Sequence, residues 1–425
     1  MDNFQSTIGM PVEQGFYTLI LGIIPKGLES NPLYFYNPDD ERVKYCTIYG
    51  VSLHESICDT IASCQIEIEV PYTWLDNQYF TDGTKISIQM KINEGISSDN
   101  DKYNENPYIY RLFNIEKIED HGVFIRLSLY GVTDFLQGYG DGNSLNCSCT
   151  TSNVFNTCAT NYGFSNTNID STNDKQLWIA NGRTVYQFLT YCCQYGWVDD
   201  TSGMMWAIDR NKTLYYKNVV KCFNSGCSDQ GCMNINIGSL GVPVITTIPF
   251  GQNNVELSAY GSDADTFVFG KKESCEYDYF SVDANDLLKT SESTCICKDC
   301  NCQSGQNWFP FNIGNHNEKY FRAMIQNKQV LSTYCTYLSV MFTPSTGVVA
   351  KNSIVPFFEA FHLFDTANLT YNVYVEDGKF TSMKALTSRC MIESIDVDIT
   401  QAHAATKIKF VTQGLNTKNN QGNVN

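Results

Sequence analysis

Apolar and polar residues alternate with period two in two long blocks of this chain, and the period changes between them. Ile66, Ile68 and Val70 alternate with Gln65, Glu67 and Glu69, and Ile86, Ile88, Met90 and Ile92 continue the same rhythm further on. Such alternation marks strands with one buried face. Phe16–Ile24 is apolar enough for a buried strand and Cys46–Val51 reads as a short one, while Ser52–Ala62 reads as a brief helix or an irregular link. Asp82–Gly83 is a turn signal. Tyr108–Ile118 and Val123–Tyr130 predict a hairpin around Glu119–Gly122. Strands spaced this closely predict a barrel or sandwich over residues 1–140.

Between Thr184 and Tyr216 the rhythm becomes helical, then extended. Thr184 has the chemistry of a helix N-cap, and Val185, Phe188, Leu189 and Cys192 form one apolar stripe behind it. Gly196 stands where the helix should stop, a place that suits a left-handed C′ residue. Met205–Ile208 and Leu214–Tyr216 then read as a hairpin with a polar turn, Asp209–Thr213. An earlier helix carries Val154, Cys158, Ala159 and Tyr162 and is closed by Gly163. Trp178–Ala180 reads as a short strand and Asn181–Gly182 as a turn. Residues 141–232 therefore predict a small helix-and-hairpin middle domain. Its leading edge holds Gly138, Gly140 and Gly142, which open no helix in a βαβ context and so read as a flexible link rather than a phosphate cradle.

Strand texture returns over 233–414. Val242–Ile248, Val255–Tyr260, Thr266–Phe269, Val330–Phe342, Ile354–Phe364, Leu369–Val375, Met391–Thr400 and Thr406–Thr412 all read as β runs. Asp377–Gly378 is a hairpin signal. A cysteine-rich acidic insertion at about 270–330, ending in an expected helix at Glu318–Gln326, interrupts them. Residues 415–425 read as a frayed polar tail. The segment 108–131 echoes 391–414: each has two alternating strands, a short polar break and a closing glycine, as a duplicated β domain would.

Composition narrows the function. At 425 residues, 43% apolar and 13% aromatic, the chain has material for two or three cored domains. A net charge of -16 excludes a free nucleic-acid binder, which needs a basic footprint. The amino terminus, MDNFQSTIGMPVEQ, lacks the basic start of a secretory signal. The apolar run ending before Pro25 is too short to span a bilayer as a helix. These features predict synthesis in a cytoplasm and no stable membrane association.

The series SNVFNTCATNYGF (152–164), WIANGRTVYQFLTYCCQYGWVDD (178–200) and MMWAIDRNKTLYYKN (204–218) resembles the middle of phage baseplate central hub proteins, with Thr184, Phe188, Leu189, Gly196 and Trp197 in the matching places. The resemblance covers about 150–220 by motif and the remainder by architecture. It implies a mainly β chain with a small α+β middle domain between two tube-like antiparallel β-barrels, the second interrupted by the cysteine-rich insertion. It further implies a homotrimer whose six barrels match a hexameric tail tube on one side and a trimeric spike on the other. Baseplate wedge or sheath proteins would be neighbours, DNA would be only passing cargo, and the place would be the virion, in a tail assembled in the host cytoplasm. A contractile tail fits a hub of this size. The insertion departs from the simple pattern and suggests an added peripheral feature.

The remaining chemistry lies in cysteines, histidines and paired acids. Of the 18 cysteines, Cys295, Cys297, Cys300 and Cys302 give CICKDCNC. That string suits zinc, disulfides or plain thiols, with the CxC pairs tight for one tetrahedral metal. Cys147 and Cys149, with Cys222, Cys227 and Cys232, sit in loops bordering the middle domain, where crosslinks, including crosslinks between subunits, are better placed than core packing. Of Cys192 and Cys193, one is expected to face the core beside Phe188 and Leu189 and the other to point elsewhere, and core packing is the better reading of the pair. His54, His121, His316, His362 and His403 lie in no HExxH or nucleophile elbow and read as surface or edge residues. Asp39–Glu41, Glu119–Asp120 and Asp199–Asp200 could form a glycosidase pair only with a supporting scaffold that the pattern lacks. A wall hydrolase or peptidase and a receptor-binding tail protein are the rival readings. No motif calls for a cofactor, and a structural, non-enzymatic role is the expectation.

Overall fold

The structure, a computed structural model, describes residues 9–12, 17–77, 79–92, 107–135, 140–164, 166–199, 202–224, 233–238, 243–250, 253–261, 267–269, 274–281, 286–293, 327, 336–344, 357–371, 373–374, 380–381 and 387–412. The helix expected at Glu318–Gln326 and the turn at Asp377–Gly378 lie outside them.

The chain opens with β1 (Met10–Val12), β2 (Tyr17–Ile24), β3 (Leu33–Tyr34), β4 (Thr47–Ser56), β5 (Ser63–Pro71), the one-turn helix α1 (Thr73–Asp76), β6 (Lys85–Ile92), β7 (Tyr108–His121) and β8 (Phe124–Thr133). The reason β5 is a strand is visible along it. Cys64, Ile66, Ile68 and Val70 are all at most 1% exposed, while Gln65, Glu67 and Glu69 face outward. Each fully buried aliphatic of this kind contributes about 1.5–3 kcal/mol. Ser52–Ala62 is neither helix nor link at its start. Residues 52–56 extend β4, because Val51 and Leu53 fill the core while Ser52 and His54 find partners across the sheet.

The middle of the chain holds β9 (Cys147–Cys149), α2 (Thr151–Asn161), β10 (Asn166–Ile169), β11 (Gln176–Trp178), α3 (Val185–Tyr195), β12 (Met204–Ile208), β13 (Thr213–Asn218) and α4 (Val219–Asn224). Its own core gathers Val154, Phe155, Trp178, Phe188, Leu189, Trp206 and Tyr216. Phe155 and Tyr216 stack with ring centroids 4.1 Å apart.

The last part contains β14 (Met233–Ile237), β15 (Val244–Phe250), β16 (Asn253–Gly261), β17 (Phe267–Phe269), β18 (Ser274–Ser281), β19 (Asp286–Ser293), β20 (Thr336–Pro344), β21 (Thr366–Tyr371), β22 (Val373–Tyr374), β23 (Phe380–Thr381), β24 (Thr387–Thr400) and β25 (Ala404–Thr412). Within the expected insertion, β18 and β19 pair as a separate two-stranded ribbon. Ile354–Phe364 is not a strand where described. Phe357–Ala360 is a 3-10 turn that drives Phe358 and Phe361 into the core, and a run so rich in aromatics imitates a strand by composition alone.

The fold is mainly β. One sheet of 16 described strands runs β1-β2-β6-β7-β8-β5-β4-β24-β25-β20-β16-β15, with β3, β14, β17 and β21 off this path. Its two ends repeat each other. The order β6-β7-β8-β5-β4 recurs as β21-β24-β25-β20-β16, with the strands in the same chain order. The short helix α1 between β5 and β6 is answered by the 3-10 turn between β20 and β21, and each buries an aromatic, Trp74 or Phe358. A bulge follows the last rung that β7 shares with β6 (Arg111), between Leu112 and Asn114. Another follows the last rung that β24 shares with β21 (Met391), between Ile392 and Ser394. The echo between 108–131 and 391–414 thus falls on equivalent hairpins, β7–β8 and β24–β25. Past its bulge, β24 bonds to β4 from Ser394↔Ser56 to Thr400↔Gly50, and this seam makes the two repeats one sheet.

Candidate functional site

The place where all three parts of the chain meet is the turn of the β12–β13 hairpin. Sequence pattern makes Asp209–Thr213 an ordinary polar turn, but the structure buries its first half: Asp209 is 1% exposed and Arg210 3%. The hairpin is docked end-on. Ile208 donates its N–H to Thr60 O, Ala62 donates to Ile208 O at 2.9 Å, and Thr133 Oγ1 donates to Asp209 O at 3.3 Å. This anchors the turn beside β4 and β8. Lys212 closes it at φ 56, a left-handed position.

From that turn Arg210 reaches both repeats. Its Nη1 forms an ion pair with Glu55 on β4, and Glu55 Oε2 also accepts the Arg210 backbone N–H at 3.0 Å. Its Nη2 donates to Phe358 O at 3.0 Å, in the 3-10 turn of the second repeat, and to Phe361 O at 2.9 Å, just after that turn. The Tyr108 and Phe358 rings flank the guanidinium, their centroids 5.9 and 5.7 Å from Cζ. A planar fork with several donors is what such a three-way contact requires, and a lysine would not supply it. Nearby, Tyr215 Oη donates to Asp209 Oδ2 at 3.1 Å and its ring packs 5.6 Å from Phe364.

Four carboxyls gather here around one guanidinium. Burial pushes Glu55 up, with Arg210 opposing and Asp209 adding to it, and burial also raises Asp209. Glu359 rises to about 8, through burial and then the nearby Glu55, and Asp365 rises to about 7 through burial. Burial, and then Arg210, lowers His362 to about 4, so this histidine is a largely buried neutral ring rather than a surface group. Raised acids bind protons more tightly folded than unfolded. Their contribution to stability is therefore full at low pH and declines as pH rises from about 4 to about 8.

The seam beside the junction is polar on its outer face. Ser52 Oγ donates to Asp398 Oδ1 at 2.8 Å and Ser56 Oγ to Glu393 Oε1 at 2.9 Å. His54 lies between Asp396 (Nδ1, 2.5 Å) and Asp59 (Nε2, 2.7 Å). The bond to Asp396, then that to Asp59, lifts its pKa to about 9 against partial burial. His121 meets Glu69 at 2.8 Å, and His403 Nδ1 lies 3.1 Å from Thr400 Oγ1. His316 lies outside the described residues.

The central helix is held as its sequence indicates at one end and differently at the other. Thr184 accepts the Gln187 N–H, and the Gln187 side chain accepts the Thr184 N–H, a capping box. At the C-terminal end Gly196 is extended (φ -63, ψ 133), not left-handed. A glycine is needed there because any Cβ would collide with the Tyr216 hydroxyl. The orphan carbonyls of the helix end are collected by Asn327. Its Nδ2 donates to Cys193 O (2.8 Å), Gln194 O (3.1 Å) and Gly196 O (2.9 Å), while its Oδ1 accepts Met204 N–H (2.7 Å). Nothing in the sequence around Asn327 signals this. Cys192 and Cys193 are both buried, as core packing expects, the second with its thiol toward Met204 O. The glycine string is not a loose link throughout. Gly142 packs on α3, donating to Arg183 O at 3.0 Å, and Gly140 O accepts the Val185 N–H.

Cys147 and Cys149 are disulfide-bonded to each other within the chain, and Cys222 is half-buried at the end of α4. Cys227, Cys232, Cys295, Cys297, Cys300 and Cys302 lie outside the described residues. Six other cysteines, Cys46, Cys64, Cys158, Cys192, Cys193 and Cys390, are buried. Among the described residues no group of three or more His, Cys, Asp or Glu is placed to hold a metal, and no helix is long and apolar enough to cross a membrane. Asp39 and Asp120 are exposed, Glu119 is held below its ordinary range by Lys117, and Asp200 lies outside the described residues.

Neither a family model nor a curated protein matches the sequence. Among solved structures, the 43 kDa tail protein of prophage MuSo2 from Shewanella oneidensis aligns over 93% of this chain and 98% of its own, with TM-score 0.51 and 10% identity. This chain has the fold of a phage tail protein. The tail protein of Neisseria meningitidis MC58 aligns over 94% of this chain and 98% of its own, with TM-score 0.49 and 9% identity. The fold likeness to the prophage MuSo2 protein, over 93% of this chain, extends well beyond residues 150–220.

Proposed function

We infer that this chain is a structural tail component, a homotrimeric baseplate hub joining a hexameric tail tube to a trimeric spike. The observation that carries the reading is the repeat joined by the β4–β24 seam. Two similar modules, side by side in one polypeptide, let three chains present six similar surfaces, and this resolves a mismatch between threefold and sixfold neighbours. Residues 1–140 and 233–414 act as the two barrel domains. Residues 141–232 wedge between them through Arg210 and hold their relative angle. The net charge of -16 suits a channel wall that DNA passes without sticking. Partners are tube and spike proteins with wedge or sheath neighbours. The work is done by interfaces and not by catalysis, in a virion assembled in the host cytoplasm. Mass photometry and electron microscopy of the purified chain, alone and with a spike protein, test this. A threefold ring with six peripheral densities is expected, and a monomer indifferent to the spike protein overturns the reading.

A further inference from the structure

The seam inside the chain is a template for the contact between chains. In β24, everything past the bulge is covered by β4. Counting rungs from the bulge, Ser394, Ile395, Asp396 and Val397 face Lys409, Ile408, Lys407 and Thr406 on β25. Ile395 is 0% exposed and Val397 2%. In β7, which has a second bulge between Ile115 and Lys117 that β24 lacks, the same rungs counted on the facing strand are Asn114, Ile115, Lys117 and Ile118, opposite Tyr130, Leu129, Ser128 and Leu127 on β8. Ile118, at the position of Val397, is 56% exposed. β6 pairs only as far as Arg111, Leu112 still donates its N–H to Thr84 O at 2.9 Å, and among the described residues no strand bonds the outer edge of β7 from Asn114 on. Among the described residues, one repeat therefore has a strand where the other has none, with an exposed isoleucine at the matching place. Open, partly apolar edges of this kind are templates for strand addition.

The covering strand can be named by the same equivalence. In the first repeat β4 is the outermost strand and makes the seam. Its counterpart β16 is followed on the path by β15, which ends the sheet, and Ile245 on β15 is 60% exposed. The geometry points to the outer edge of β7, residues 114–121, pairing with β15 of a second copy of this chain, so that seams within and between chains alternate around the ring. This rests on the trimeric reading above and adds the strands that make the contact.

The test uses the full chain in whichever state, alone or with the spike protein, gives the assembled trimer. Ile118→Lys places a charge at an exposed position, so folding is not threatened, and Leu177→Lys, on the 68% exposed Leu177 of β11, is the control. Ile118→Lys should raise the trimer dissociation constant at least tenfold and Leu177→Lys should leave it unchanged. A benzoylphenylalanine photocrosslinker at position 118 should join two chains through a peptide from 244–250. A trimer unmoved by Ile118→Lys, or a crosslink landing on another segment, overturns the edge assignment and leaves the trimer standing. Absence of any trimer overturns both.

Discussion

Replacing Arg210 by methionine should loosen the junction by an amount the structure lets us work out. Methionine keeps most of the aliphatic volume and removes the charge. Glu55, 3% exposed, then loses its counter-ion, and the carbonyls of Phe358 and Phe361 lose their donor. Breaking one side of a buried ion pair costs about 3–5 kcal/mol. The charge can escape by protonation. Neutralising a carboxyl of ordinary value 4.5 at pH 7 costs about 3.4 kcal/mol, at about 1.36 per unit. At pH 5 that cost is only about 0.7 kcal/mol. In the variant the folded state binds this proton and the unfolded state releases it above pH 4.5. Burial already raises Glu55 to about 7 in the native protein, so below about pH 7 both folded proteins hold this proton, and the stability deficit grows mainly as pH rises above 7. Urea unfolding followed by tryptophan fluorescence measures it. With m of about 2 kcal/mol per molar, the full loss lowers the midpoint by about 1.5–2.5 M, approached as pH rises above 7 and smaller below it. The double variant E55Q/R210M should recover at least half the loss at pH 7. A loss below about 1 kcal/mol, too small for a broken buried pair, would refute the reasoning. So would a loss that shrinks as pH rises above 7, or a double variant as unstable as the sum of its parts.

Other expectations concern the central helix and the seam. Gly196→Ala should cost about 1–3 kcal/mol through overpacking against the Tyr216 hydroxyl, and Tyr216→Phe in the same chain should restore part of it; additive losses in thermal unfolding would show that the clash lies elsewhere. Asn327→Leu removes a group that serves three carbonyls and one N–H, and should cost about 1–3 kcal/mol or more for the buried groups left bare, with accelerated hydrogen exchange at Gly196 and Met204 as the readout. His54, raised to about 9, stabilises the seam fully below pH 6.5 and loses that contribution as pH rises through about 9. Because its side chain is 39% exposed, solvent screening discounts the effect to about 1 kcal/mol, and His54→Gln should abolish this pH step in calorimetry.

Much of the fold could be read in the chain because each strand declares itself locally. Ile66, Ile68 and Val70, or Ile395, Val397 and Ile399, bury every second residue, and alternation is a property of neighbours in sequence. The same holds for Thr184 and the stripe behind it, and for the echo between 108–131 and 391–414. Errors came where composition imitates period, as at Phe357–Phe364. They also came where one residue type serves two purposes, as at Gly196, whose missing Cβ makes room for Tyr216.

The candidate site was not legible, for a physical reason. Arg210 sits in a sequence, DRNKT, that makes an ordinary solvated turn. Its burial depends on Glu55, 155 residues earlier, and on two carbonyls about 150 residues later. Asn327 gives no sign of capping a helix that ends some 130 residues before it. By itself the sequence determined the strands, the central helix with its N-cap, and the doubling of a module, since these follow from side chains a few positions apart. Only the tertiary structure decided which edges join, where a lone guanidinium is shared by three segments, and which isoleucine is left uncovered. Those outcomes depend on distances through space that no local pattern encodes.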